Sequence, residues 1–365
     1  MVLGAEPTQG PSAMSGRAVP DFTKVLRKTP GIQYLVLNSQ GTVYEHDGGW
    51  ADLRSRAPMT AGTTMMGYSM SKTITAAAVM RLVQDGKVEL DRSVSDYVGT
   101  LPYDANIAVR HLLSHTSGIP NPIPLRWVHL AARHARFDEQ AALNAVLAAH
   151  PRLRRRPGSK YAYSNIGYWL LGRVVERASG QPFTSYVTTQ VLQPIGVSPG
   201  ELGYAIPNPN RHATGYLEKY SVMNLAKRLL IAPEFIGTYT GRWLQIQSHY
   251  PNGPAFGGLV GAARGFGTFL RDQLAPRSAI FDERTRTLFC EPQRTTDGAP
   301  IQMTLGWHIG VRHGLRYFFK EGGGGGFHSL MRMYPQQGIA SVVMTNATGF
   351  DVDGFLDAFD PKFFN

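Results

Sequence analysis

The sequence predicts an α+β fold: an antiparallel sheet flanked by helices, built from both chain ends, with an all-helical unit inserted between them. Three observations lead there. Two apolar or β-branched runs surround Ser39-Gln40-Gly41 near the N-terminus, in the manner of a hairpin. Helical stretches such as "TITAAAVMRLVQDG" and "YSNIGYWLLGRVVERASG" dominate the first half. Four strand signals, "LGWHIGVR", "LRYFFKEG", "FHSLMRMYP" and "GIASVVMTN", then follow one another towards the C-terminus, separated by turns containing Gly or Pro.

Taken in order, residues 1–20 are rich in Gly, Ala, Pro and Ser and lack a basic stretch leading into an apolar one. They are expected to form a loose arm rather than a signal peptide, which makes a cytoplasmic location the expectation. The hairpin opens a sheet unit over residues 21–78. The helix that begins near residue 72 stops at Asp85-Gly86. With "VRHLLSHTSGIPN" and "DEQAALNAVLAAH" it makes 79–169 a mainly helical unit. A helix from Asn165 to Ala178, ended by Gly180, leads into the second part of the sheet unit, residues 170–365. Residues 200–256, crowded with Pro, Gly and aromatic residues, read as long loops. "GLVGAARGFGTFLRDQL" returns to helix, and "DVDGFLDAF" is a last helix behind the four strands.

Composition narrows the function classes. With 365 residues, 43% hydrophobic and 17% charged, the chain can bury a large core and fits a soluble globular protein. No apolar run approaches the roughly 18 residues that a membrane span needs. Cys290 is the one cysteine, so neither an internal disulfide nor a thiolate metal cage is available, and a plain buried thiol is expected. The net charge of +11 comes mostly from scattered Arg, with one cluster at Arg152, Arg154, Arg155 and Arg156. No helix-turn-helix, zinc-finger or RNA-binding signature accompanies it, so the cluster reads as a solvated loop and nucleic acid is not an expected partner. His111 and His115 have the i, i+4 spacing of a metal pair, but no third ligand follows and a structural role is expected.

The chemistry starts at "GYSMSKTITAA". Ser69 and Lys72 stand three apart, which on a helix puts both side chains on one face, about 5–6 Å apart at Cβ. A lysine kept neutral by burial or by a neighbouring cation can take the proton of a serine nucleophile. Of nine lysines, Lys72 alone has a Ser three residues earlier. Ser71 points off that face. Tyr163-Ser164-Asn165 sits at a loop-to-helix junction; a tyrosine near an ammonium has its pKa lowered and can shuttle a proton, and Asn165 can hold Lys72 and a substrate carbonyl. The competing Tyr250-Pro251-Asn252 lies in a Pro-rich stretch with no helix expected after it. Lys320-Glu321-Gly322 is the one K-x-G, and the glycines 322–326 allow close approach of a substrate to backbone. A flexible turn between strands is the plainer reading of that run.

The ordered set S-M-S-K, Y-S-N and K-E-G resembles the serine β-lactamase and penicillin-binding-protein superfamily. The phrases "VRHLLSHTSGIP", "PGSKYAYSNIGYWLLGRVVERASGQPF" and "YPQQGIASVVMTN" resemble its class C β-lactamase-like branch, which includes family VIII carboxylesterases and D-amino-acid peptidases. The similarity runs from about residue 30 to 350 and implies a β-lactamase/transpeptidase-like fold. It implies Ser69 as acylated nucleophile, Lys72 and Tyr163 as base and acid, Asn165 as orienter of Lys72, and Lys320 as a charge stabiliser. The oxyanion hole would use the N–H groups of Ser69 and Gly323, with Gly322 beside it, and neither a metal nor a cofactor would be needed.

Glu321 departs from the resemblance, since these enzymes usually carry Thr or Ser there to bind a substrate carboxylate. An acidic side chain pointing into the cleft would repel that group, which favours a neutral ester or amide; a carboxylesterase acting on short acyl chains is the leading expectation. The alternatives are β-lactamase, DD-peptidase or D-aminopeptidase chemistry with the same residues, or an inactive binding protein of the same fold. The partner expected is a small ester or amide; the oligomeric state is not legible.

Overall fold

The computed structural model describes residues 21–103, 106–122, 127–225, 231–312 and 314–364. The arm expected at 1–20 lies outside the described residues. At the centre is a seven-stranded antiparallel sheet. From one edge it runs through His308–Arg312, Leu315–Gly324, Phe327–Tyr334 and Ile339–Thr345, then through Gly31–Asn38, Thr42–Asp52 and Ala57–Pro58. The two chain ends meet where Gly31–Asn38 pairs with Ile339–Thr345. The hairpin and all four C-terminal strand signals are therefore strands of one sheet.

Alternation along the strands explains the layers. Leu35 and Leu37 join the core that contains Phe266 and Phe269 of the helix Ala263–Leu274. Tyr34 and Val36, one residue out of step, join Phe355 and Leu356 of the helix Val352–Phe359 on the opposite face. Tyr34 meets Phe355 edge-on, with ring centroids 5.0 Å apart. Because both faces are covered, the two central strands read as nearly continuous apolar runs.

Two helices position the site. Ser71–Gln84 continues from a 3-10 turn, Tyr68–Met70, and is buried along most of its length. Asn165–Ser179 packs against it. This second helix starts where Ser164 Oγ accepts from the Gly167 N–H at 3.1 Å, and it stops at Gly180, whose φ of 72° suits glycine. Residues 200–256 are not long loops. They carry a three-stranded sheet of Gly215–Glu218, Trp243–Ile246 and Ile236–Thr240, and the strand His249–Pro251 pairs with Val128–Leu130. Tyr250 and Pro251 thus lie in a strand, with Asn252 just past its end and a short helix following at Pro254–Gly257. His249–Pro251 was hidden because its partner lies far away in sequence, whereas Ile236–Thr240 and Trp243–Ile246 form a local hairpin that the surrounding Pro and Gly obscured. Among the described residues no helix is long and apolar enough to cross a membrane.

Candidate active site

Ser69 sits in the turn that leads into the helix Ser71–Gln84, where backbone N–H groups lack helical acceptors. The residue before it, Tyr68, has a φ of 42°, a left-handed conformation that costs a non-glycine residue energy. Its side chain holds the strained turn in place: the hydroxyl donates to Gly325 O at 2.8 Å and lies 2.9 Å from His249 Nε2. Lys72, one turn on, places Nζ 2.9 Å from Ser69 Oγ and donates to Phe256 O at 2.5 Å. Ser71 is fully buried and accepts from the Leu259 N–H at 3.0 Å, a structural tie that points away from Ser69.

Tyr163 completes the group by donating from its hydroxyl to Ser69 Oγ at 2.8 Å. Lys72 Nζ and Lys320 Nζ lie 5.1 and 5.5 Å from the centroid of the Tyr163 ring. Both lysines are 0% exposed. Burial drives Lys72 well below the 10.5 of a free lysine, and the Lys320 charge pushes the same way. Burial also brings Lys320 down to about 7. The expected lowering of the tyrosine does not occur: burial raises Tyr163 above 10.0, and the hydrogen bond to Ser69 offsets this only in part. Two desolvated amines that have lost much of their charge have little left with which to stabilise a phenolate. The arrangement therefore offers a serine hydroxyl, an amine base and a protonated phenol within hydrogen-bond reach of one another.

The other expected residues divide. Asn165 lines the same cavity as Ser69, yet its Nδ2 donates to Asn121 Oδ1 at 3.1 Å and it makes no hydrogen bond to Lys72. That part of the expectation is corrected: Phe256 O, not Asn165, orients the amine. Gly322 packs against the nucleophile turn, and a Cβ there would overlap Gly67 O. Gly322→Ala is accordingly expected to push strand and turn apart, lowering turnover more than it lowers Tm when both are measured on one preparation. Gly323 lines the cavity beside Ser69. Glu321 points away from the cleft, on the opposite face of its strand from Lys320, and pairs with His328 Nε2 at 2.6 Å. That pairing holds its carboxyl below the usual range. The repulsion invoked from sequence therefore has no route to the substrate.

Several other readings resolve as packing. His115 is buried with its ring 4.3 Å from that of Tyr163, and its Nδ1 accepts from the Ser164 N–H at 3.2 Å. His111 Nδ1 accepts from the Ala108 N–H at 3.1 Å, so the two histidines serve separate backbone groups. Arg152, Arg154, Arg155 and Arg156 are exposed. Cys290 is partly rather than fully buried, and burial pushes its thiol up to about 11.

Above Ser69 lies a cavity of about 340 Å³. Trp127, Phe235, Ile246 and Phe256 supply much of its wall, with His249 and Gly323–Gly325 at the side. None of its described lining residues is an Asp, Glu, Lys or Arg. The sequence reading missed Tyr68, Asn121, Phe235, Ile246 and His249; proximity to Ser69 was the sole signal for Tyr68, and nothing local marked the rest.

A family model described as Beta-lactamase matches residues 20–360. The chain belongs to the beta-lactamase family. Among its relatives, Protein flp of Staphylococcus aureus (strain N315) is 28% identical over 195 residues, covering 51% of this chain and 38% of that protein. Penicillin-binding protein 4* of Bacillus subtilis (strain 168) is 26% identical over 190 residues, covering 50% of this chain and 41% of that one. The matched region is thus about two fifths of the length of these curated relatives. The D-amino acid amidase from Ochrobactrum anthropi SV3, solved with D-phenylalanine, superimposes with a TM-score of 0.73 at 20% identity, covering 93% of this chain and 94% of that one. That likeness is one of fold and agrees with the sheet and helices described above.

Proposed function

We propose that this member of the family is a serine hydrolase that works through an acyl-enzyme on Ser69, and that its substrates are neutral esters with a small apolar acyl group. The observation that carries the reading is Ser69 Oγ, hydrogen-bonded by both Lys72 and Tyr163, beside an apolar cavity whose described lining has no charged side chain. A neutral Lys72 that donates to Phe256 O still has its lone pair free for the serine proton. Ser69 Oγ adds to the substrate carbonyl and its proton passes to Lys72. The N–H groups of Ser69 and Gly323 receive the oxyanion. Collapse breaks the ester C–O bond, and the leaving alkoxide takes a proton from Tyr163, which Lys72 resupplies. Water then repeats the sequence on the acyl-enzyme. A substrate carboxylate would find no cation in this cavity, which supports esters over β-lactams and peptidoglycan termini.

The same chemistry on the amide of an apolar D-amino acid is the second reading, favoured by the likeness to the D-amino acid amidase over nearly the full length of both chains. A panel of p-nitrophenyl esters of graded length, a D-phenylalanine amide and a chromogenic cephalosporin separates the possibilities. Ester turnover is expected to exceed the others and to fall once the acyl group outgrows the 340 Å³ cavity. Rapid cephalosporin hydrolysis with inert esters would reverse the ranking. Because Glu321 faces away, Glu321→Gln is expected to change kcat/KM for the preferred ester by no more than about threefold; a loss of about a hundredfold would place this carboxylate in the reaction.

A further inference from the structure

A second cavity, of about 730 Å³, lies behind the first. The partition between them is the ribbon of Val128–Leu130 and His249–Pro251. Side chains alternate across a strand, so Val128 and His249 face the Ser69 cavity, His129 and Tyr250 face the second one, and Pro251 borders both.

Several polar groups of this second cavity present acceptors, beside the hydroxyls of Thr184, Ser185, Tyr204 and Tyr250. Asn252 Oδ1 accepts from His129 Nδ1 at 2.9 Å, so His129 Nε2, 2.9 Å from His134 Nδ1, accepts in turn. That order leaves His134 Nε2 as an acceptor. Burial lowers both imidazoles from 6.5, although His134 is exposed on one side. The hydroxyls of Thr188 and Thr189 donate to Thr184 O and Ser185 O one turn earlier, which leaves their oxygens to act as acceptors. Flat aromatic faces form one wall: Phe137 stacks on His129 at 3.8 Å between centroids, and His134 on Tyr250 at 4.0 Å.

One residue sets the charge. In a chain of net charge +11, Glu139 is the one Asp, Glu, Lys or Arg among the described residues lining this cavity. Its Oε1 accepts from Trp169 Nε1 at 2.8 Å. No described cation forms an ion pair with it; Arg173 is near enough to pull its carboxyl down, but its own ion pair is with Glu176. A carboxylate taken out of water without a counter-ion is costly; burial, with help from the Glu176 charge, pushes Glu139 up to about 7. The hydroxyl of Tyr204, close enough to feel that carboxylate, is itself buried with no hydrogen-bond partner.

We propose that this second cavity binds a small organic ammonium ion, with Glu139 as its counter-ion and the stacked rings as its wall. An ammonium group brings three donors, which Glu139, His134 Nε2 and the Thr188 and Thr189 oxygens can accept. It is attracted to ring faces and supplies the positive charge that Glu139 lacks. An anion would be repelled by Glu139, and a polyol would leave that charge unmatched. The site does not depend on the Ser69 chemistry, but it shares a wall with it.

The test titrates n-butylammonium into the full chain by calorimetry, with 1-butanol as the neutral match. Saturable binding is expected for the amine, with 1-butanol weaker by about tenfold or more. Glu139→Gln, which keeps an acceptor for Trp169, is expected to cost about tenfold in affinity. Thr188→Phe, which fills the cavity from the opposite side, is expected to abolish binding with Glu139 intact. Trp169, Arg173, Glu176 and Tyr204 face the same carboxyl, and His129 and His134 line the cavity. Amine affinity should rise between about pH 6 and pH 8 as Glu139 ionises, and stay flat in Glu139→Gln. Blocking Ser69 with a fluorophosphonate should leave binding in place. Equal affinity for 1-butanol, unchanged affinity in Glu139→Gln, absence of saturable binding, or loss on blocking Ser69 would each overturn the proposal.

Discussion

Ser69→Ala is expected to lower hydrolysis of a short p-nitrophenyl ester by on the order of 10⁴–10⁶-fold, because it removes the atom on which the base and the phenol converge. Lys72 and Tyr163 both bond Ser69 Oγ, at 2.9 and 2.8 Å, so neither has another described nucleophile to activate. The substitution deletes one oxygen at a half-buried position, and Tm should move little. A fluorophosphonate should add one adduct to the wild type and none to the variant, as read by intact mass. Unchanged turnover in Ser69→Ala would remove the acyl-enzyme reading altogether. Complete inertness of the wild type towards every ester and amide tried would instead revive the inactive binding protein.

Lys72→Met should reduce kcat by about 10²–10⁴-fold while Tm holds or rises. The two effects have one cause. Lys72 is fully buried, and burial drives its amine well below 10.5, so the fold bears the cost of desolvating a charge that methionine never carries. Lys72→Arg is the sharper variant, since a guanidinium keeps the charge but cannot give up a proton near neutral pH. It is expected to be as inactive as Lys72→Met, whereas a site that needed only positive charge would tolerate it. The sign of the pH dependence follows. A base with a depressed pKa is protonated and idle in acid, so kcat/KM should rise with pH as Lys72 loses its proton and level off well below 10.5. A rate that falls as pH rises through the same range would assign the base elsewhere.

Much of the fold is legible because it rests on local periodicity. The four C-terminal strands announce themselves by β-branched and aromatic runs between Gly and Pro turns, and the helix at 165–179 by its apolar run and Gly180 stop. The strand His249–Pro251 lacked that signal: it pairs with Val128–Leu130 across more than a hundred residues, and no short window contains both. Such elements gain their stability from partners rather than from propensity.

The same division runs through the site. The sequence by itself determined that Ser69 and Lys72 would meet, because three residues make about one turn and a side chain cannot avoid its neighbour at that spacing. It also determined the sheet built from both chain ends. Only the tertiary structure decided which way Glu321 points, that Asn165 answers to Asn121, and that Phe256 O orients the lysine. It also decided that Tyr163 is raised rather than lowered. These are outcomes of desolvation and of contacts between residues far apart in the chain. Both depend on what surrounds a side chain once the core has closed, and a linear pattern carries no record of that.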